Sequence, residues 1–245
     1  MKKLAMAALA AVCACGCAQK DDGTVKMITE ATFPPYEFLR GQEIVGIDVE
    51  ICRAVAQKLG KKFQCETVDF DSVIPAVISG KADLAAAGIT VTEDRKKNVD
   101  FSIPYVTTGI VVIYSKSNPY TGPEQLKGRR VGVQGGTTSE TYVLEKLGQE
   151  PERSRSPAEA VAALKAGRVD FVIADIDPAK NCVKGENDLA ISDFVTSEDY
   201  AIAIKKGRPD LLKVIDETIA EIKADGRLAK WIADFTAEAD SLKNK

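Results

Sequence analysis

The stretch Ala76-Val77-Ile78-Ser79-Gly80-Lys81-Ala82-Asp83-Leu84-Ala85-Ala86-Ala87 runs from a helix end through a glycine stop, a cation and an aspartate into a short apolar strand. The same order returns in Ala163-Leu164-Lys165-Ala166-Gly167-Arg168-Val169-Asp170-Phe171-Val172-Ile173-Ala174. A strand that is apolar at every position is covered on both faces, as in a sheet flanked by helices, so the chain holds two similar α/β units. The first strand leads into Gly88 and the second into Asp175. Open α/β sheets take ligands beyond the C-terminal ends of their strands, which places both residues at the lining of a crevice.

Past the first strand the chain reads Gly88-Ile89-Thr90-Val91-Thr92-Glu93-Asp94-Arg95. With Ile89 and Val91 turned into the core, the strand period of two sends Thr90 and Thr92 the other way as a polar ledge. Gly88 lets a ligand approach the backbone, and Arg95 supplies a planar donor fork that matches a carboxylate. The alternative is a strand that ends in a solvated charged turn, since Lys96 and Lys97 follow. In the second unit, residues 130–134 read as a strand, and Gly135-Gly136-Thr137-Thr138-Ser139 opens a helix over 140–147. Free N–H groups and the helix dipole make such an opening a seat for phosphate or carboxylate. It is no Walker loop, because no Gly-Lys-Ser/Thr follows.

Around these units, strands are expected over 25–30 and 63–68, and a helix over 48–59 with Gly60 as its stop. Asp71 or Ser72 can cap a helix that runs to Ser79. Thr32-Phe33-Pro34-Pro35-Tyr36-Glu37-Phe38 is expected as a stiff aromatic loop, because two prolines forbid helix. A strand over 111–115 enters the second unit and one over 200–205 leaves it, which implies a second domain inserted into the first. Residues 211–235 read as helix interrupted at Gly226, with Trp231 and Phe235 as core anchors.

The chain has 245 residues, 45% hydrophobic and 28% charged, the balance of a globular protein. Its net charge of -3 argues against a nucleic-acid partner. It contains no histidine, which removes His-based triads, His-ligated zinc and the usual general base near neutral pH. Cys52, Cys65 and Cys182 lack the spacing of a metal site; a Cys52–Cys65 bridge between helix and strand is geometrically possible in an oxidising compartment and stays open. At the N-terminus, Lys2 and Lys3 precede a short apolar run, residues 4–12, that is too short to span a bilayer and reads as an export signal. Val12-Cys13-Ala14-Cys15-Gly16 resembles a bacterial lipoprotein cleavage box with Cys15 as the lipidated residue, Cys17 being the alternative. The expected division is a signal peptide over 1–15 and a linker over 16–24.

Taken in order, several motifs together resemble the periplasmic solute-binding proteins for polar amino acids, the receptors of ABC importers of glutamine or lysine-arginine-ornithine type. They are Thr32 to Phe38 as quoted, Val45-Gly46-Ile47-Asp48-Val49-Glu50, residues 87–97, Val99-Asp100-Phe101-Ser102, residues 135–139 and residues 226–231. The resemblance implies a two-lobed periplasmic-binding-protein-like (type II) α/β fold, two open sheets joined by a two-strand hinge that closes over ligand. Lobe 1 would comprise 25–107 and 201–245, and lobe 2 would comprise 108–200 with hinge strands at its ends.

By the same resemblance, Arg95 would grip the ligand α-carboxylate with Thr90 and the Thr138 amide helping, and the Gly88 carbonyl and Asp175 would take the α-ammonium. Phe33 and Phe70 would sandwich the side chain, with Glu30 and Gln134 at the positions that vary with ligand. A carboxylate at Glu30 taken out of water needs a cation, which favours arginine, lysine or ornithine as ligand, then glutamine. The implied protein is a lipid-anchored, monomeric receptor of the cell envelope that hands a free L-amino acid to a membrane permease, with no catalytic residue, cofactor or metal. An enzyme on the same scaffold, similar to cyclohexadienyl dehydratases, and a ligand-binding sensory receptor are the alternatives.

Overall fold

Residues 23–242 are described by a computed structural model. The export signal, Cys15, Cys17 and most of the expected linker lie outside that span. The first half of the chain carries β1 (Thr24–Thr29), β2 (Thr32–Phe33), β3 (Glu37–Arg40), β4 (Glu43–Val45), α1 (Ile47–Lys58), β5 (Lys62–Thr67), α2 (Phe70–Ile78), β6 (Leu84–Ala85), α3 (Glu93–Lys96), β7 (Val99–Phe101) and β8 (Val106–Ser115). The second half carries β9 (Val131–Gln134), α4 (Thr138–Tyr142), β10 (Glu152–Ser154), α5 (Pro157–Lys165), β11 (Phe171–Asp175), α6 (Ile176–Val183), β12 (Leu189–Ile191), β13 (Thr196–Tyr200), β14 (Ala203–Lys205), α7 (Pro209–Ala224) and α8 (Arg227–Leu242).

Two sheets organise these elements into two lobes. One has the order β5-β1-β6-β14-β7, and the other β10-β9-β11-β8-β12, with β13 also paired to β8. In the first, β1 runs parallel to β5 and β6, while β14 is antiparallel to β6 and β7. The apolar strands are covered on both faces, as their composition requires: Leu84 and Ala86 pack in one cluster of buried side chains, Ala85 and Ala87 in another. The second sheet repeats the division, with Val111 and Ile113 on one face of β8 and Ile110 and Val112 on the other, all fully buried. Burying one such side chain stabilises the fold by about 1.5–3 kcal/mol.

The chain crosses between the lobes along β8 and returns along β13. These two pair antiparallel from Thr196↔Ile110 to Tyr200↔Val106 and so form the two-strand hinge. The single strand expected over 200–205 is two strands, because the chain leaves the second sheet at Tyr200 and joins the first only at Ala203. Three further expectations are corrected. The Pro34-Pro35 segment is no open loop but the connection of a small hairpin, β2 to β3, extended by β4. The second helix starts at Phe70, ahead of where a cap at Asp71 or Ser72 would begin it, with Asp69 at the N-cap position. The helix expected over 140–147 begins at Thr138 behind the Thr137 cap and widens to π geometry over Val143–Leu147. Trp231 and Phe235 are half-buried against the core of the first lobe. Cys52 and Cys65 carry unbridged thiols.

The lobes touch. Tyr36 of the first donates its hydroxyl to Asp177 Oδ2 of the second at 2.8 Å, and Lys184 pairs with Asp240 at 2.8 Å.

Candidate functional site

The C-terminal ends of β6 and β11 meet across the cleft, as the strand-end argument requires. Ala87, Gly88, Thr90, Arg95, Phe33 and Phe70 come from the first lobe, and Gln134, Thr137, Thr138 and Asp175 from the second; together they line one narrow space between the lobes. Of the residues expected from the sequence to touch a ligand, Phe33, Phe70, Gly88, Thr90, Arg95, Gln134, Thr138 and Asp175 line this space; Glu30 and the ledge residue Thr92 do not. Thr137 joins it unforeseen, as the N-cap of α4: its hydroxyl accepts from the Glu140 N–H at 3.3 Å and donates to the Gln134 carbonyl at 2.7 Å.

Gly88 is the one lining position where only glycine fits. Its φ is +55°, and a Cβ there would stand 2.7 Å from Cε1 of the Phe33 ring. On the other wall, the Phe70 ring lies under the Arg95 guanidinium, 5.6 Å from centroid to Cζ.

Arg95 is held at both tips. Its Nη1 donates to the Thr90 carbonyl at 2.8 Å and its Nη2 crosses the cleft to the Gly136 carbonyl at 3.0 Å. A guanidinium has five N–H donors, so three remain for an anion. Burial pushes its pKa down, and the carboxylates of Glu198 and Asp175 push it back up.

The threonine ledge takes another form. Thr92 is turned back to cap α3, its hydroxyl accepting the Arg95 N–H at 3.2 Å, because the chain leaves the strand after Thr90. Thr90 is buried and donates its hydroxyl to Glu198 Oε2 at 2.7 Å, so that proton is not offered to an anion.

Glu198 was missed by the sequence reading. It lies in β13, 6% exposed, in a run of polar residues that looks like surface. The signal was the strand period: Glu198 and Tyr200 share a face, and Tyr200 is fully buried. Tyr200 donates its hydroxyl to the Asp175 carboxylate. Burial, then the neighbouring Glu198, raises Asp175 to about 7, against the lowering effect of the Tyr200 bond. Two buried acids beside one arginine leave an excess of negative charge, which a ligand cation would offset.

Glu30 stands just past the end of β1, outside the lining. It is 6% exposed; Oε1 accepts the Thr32 hydroxyl at 2.6 Å, and Oε2 has no hydrogen-bond partner among the described residues. Burial raises its pKa; the groups that act on it are Thr32, Gln134 and Asp69, none of them cationic. One of the two amide N–H groups of Gln134 goes to the Arg155 carbonyl at 2.9 Å, and the Gln134 side chain also acts on Glu30, against the effect of burial.

The site therefore presents an arginine fork and a buried acid on opposite lobes, the complement of a zwitterion, between two aromatic rings. The sequence profile of the bacterial extracellular solute-binding proteins, family 3, matches residues 25–238. The putative ABC transporter arginine-binding protein 2 of Escherichia coli K12 is 31% identical over 92% of this chain and 95% of its own. The L-cystine-binding protein TcyJ of the same organism is 31% identical over 89% and 86%. Among solved structures, the amino acid ABC transporter substrate-binding protein AbpA from Streptococcus pneumoniae, bound to L-arginine, superposes with a TM-score of 0.82 at 35% identity, over 90% of this chain and 97% of that one.

Proposed function

The chain is a member of the bacterial extracellular solute-binding proteins, family 3, and on that premise we propose that it takes a free basic amino acid into the cleft between its lobes, arginine before lysine or ornithine. It is an amino-acid substrate-binding protein of an ABC transporter; the choice of ligand is the finer reading. In that reading Arg95 holds the α-carboxylate with its three remaining N–H donors and the Thr138 amide, while Thr90 backs Arg95 through its carbonyl. Asp175 and the Gly88 carbonyl take the α-ammonium, Phe33 and Phe70 flank the side chain, and Gln134 lies on the far wall.

The observation that carries the basic side chain is Glu30, a buried carboxylate with an unpartnered oxygen and no cation beside it. A carboxylate taken out of water is costly until a charge or several donors meet it, and a ligand guanidinium or ammonium supplies both. Glutamine is the second reading, supported by the Gln134 amide on the cleft wall. By extension, the protein works outside the cytoplasm as a monomer tethered through a lipid on Cys15, and delivers its ligand to a membrane permease.

Competition calorimetry on Glu30→Gln tests the ligand. Affinity for arginine is expected to fall by about tenfold or more while glutamine is spared. Unchanged arginine affinity would remove Glu30 from the site.

A further inference from the structure

Behind the cleft wall the first lobe buries a second set of acids that touches no ligand. Glu37 of β3 and Asp48 of α1 are fully buried, and Tyr105, just before β8, is 2% exposed. Asp48 Oδ2 accepts the Gly88 N–H at 2.9 Å. A trans peptide points its N–H and C=O in opposite directions, so anchoring that N–H in the core aims the Ala87 carbonyl of the same peptide at the cleft, which Ala87 and Gly88 line. The backbone at Gly88 sits at positive φ under the Phe33 ring, so the peptide's orientation depends on what holds it.

Beyond that bond these polar atoms have no hydrogen-bond partner among the described residues: both oxygens of Glu37, Oδ1 of Asp48 and the Tyr105 hydroxyl. The titratable groups that face Glu37 are Asp48 and Cys52 from α1, Glu30 at the end of β1, Cys65 from β5 and Tyr105. Those that face Asp48 are Glu37, Tyr105, Tyr36, Cys52 and Cys65. None is a cation. Two adjacent buried carboxylates with no counter-charge beside them do not both ionise, and the one that already accepts an N–H keeps the charge. Burial drives Glu37 well above the carboxylate range and Asp48 only to about 6, which assigns the proton to Glu37.

We propose that Asp48 is a positioning residue of the amino-acid site, acting through the Ala87–Gly88 peptide, and that Glu37 behind it is a neutral carboxylic acid whose O–H is turned to the unpartnered oxygen of Asp48. The effect on affinity rests on the reading of the cleft as an amino-acid site; the proton on Glu37 does not. Arg95 and Asp175 supply the charges, and Asp48 fixes the peptide that leads into Gly88, whose own carbonyl is the one assigned to the α-ammonium.

Infrared difference spectroscopy of the ligand-free wild-type protein against Glu37→Gln at neutral pH is expected to show the carbonyl stretch of one protonated carboxylic acid, lost in the variant. Absence of that difference band overturns the protonation. In calorimetry with a ligand that the wild type binds, Asp48→Ala is expected to weaken binding about tenfold or more. Glu37→Ala is expected to weaken it too, and Glu37→Gln, which keeps a donor toward Asp48, to return it to within about threefold of the wild type. Glu37→Gln as weak as Glu37→Ala, or Asp48→Ala within about threefold of the wild type, overturns the positioning role. Should Asp48→Ala not fold, the Glu37 pair and the infrared band decide. Failure of the wild type to bind any amino acid would instead sink the reading of the cleft and leave the infrared result standing.

Discussion

Replacing Arg95 with alanine removes the one cation among the described residues that line the candidate site. In the structure its two terminal nitrogens already hold the Thr90 carbonyl at 2.8 Å and the Gly136 carbonyl at 3.0 Å, so the ligand carboxylate meets a fork that is fixed in place before binding. Truncating one partner of a buried, hydrogen-bonded charge pair costs about 2–5 kcal/mol. The bond to Gly136, one of the contacts between the lobes, is lost with it and is counted within that range. The Arg95→Ala variant is thus expected to bind roughly thirtyfold to several thousandfold more weakly, by isothermal titration calorimetry. Arg95→Lys recovers only part, since a single ammonium cannot reach two carbonyls and both carboxylate oxygens from one plane. Binding by Arg95→Ala within about threefold of the wild type would refute the assignment of Arg95 to the carboxylate.

Asp175 sets a pH dependence. Its folded-state pKa of about 7 lies above the unfolded value of about 3.9, so it favours the ligand-free fold fully below about pH 4, and that contribution is lost as the pH rises through about 7. Pairing with an α-ammonium needs the ionised form, so affinity is expected to rise between about pH 5 and 7 with proton release, measured by calorimetry in buffers of different ionisation enthalpy; a flat profile contradicts it. Tyr36→Phe removes the bond to Asp177 without touching the lining, and is expected to weaken binding about fivefold, near 1 kcal/mol, with little change in melting temperature; full wild-type affinity would mean that the contact does not help to hold the lobes closed. Small-angle scattering is expected to show a smaller radius of gyration with ligand than without, and an identical profile at saturation would count against hinge closure.

What could be read in advance followed from short-range rules. Two buried strands after two glycine stops located Gly88 and Asp175, and both line the cleft because strand ends in open sheets do. Glu198, Asp48 and Glu37 were not legible as parts of the site, for one reason. Each sits where an acid is ordinarily solvated: in a polar strand, in the first turn of a helix and beside a hairpin turn. Their burial comes from long-range packing, across 108 residues for Thr90 and Glu198 and 40 for Gly88 and Asp48. Thr92 fails in the opposite sense: alternation assigned it to the ledge, but a local helix start claimed its hydroxyl for a cap. Glu30, on which the proposed choice of ligand rests, stands outside the lining, so the proposal turns on its charge rather than on shape.

The most direct measurement is titration calorimetry of the intact protein against arginine, lysine, ornithine, glutamine and glutamate at neutral pH. The expected result is one saturable site per chain for a basic amino acid, bound more tightly than glutamine, with no detectable heat for glutamate. Preference for glutamate, or no binding by any of the five, would contradict the assignment of Arg95, Asp175 and Glu30 to the two ends and the side chain of a basic amino acid.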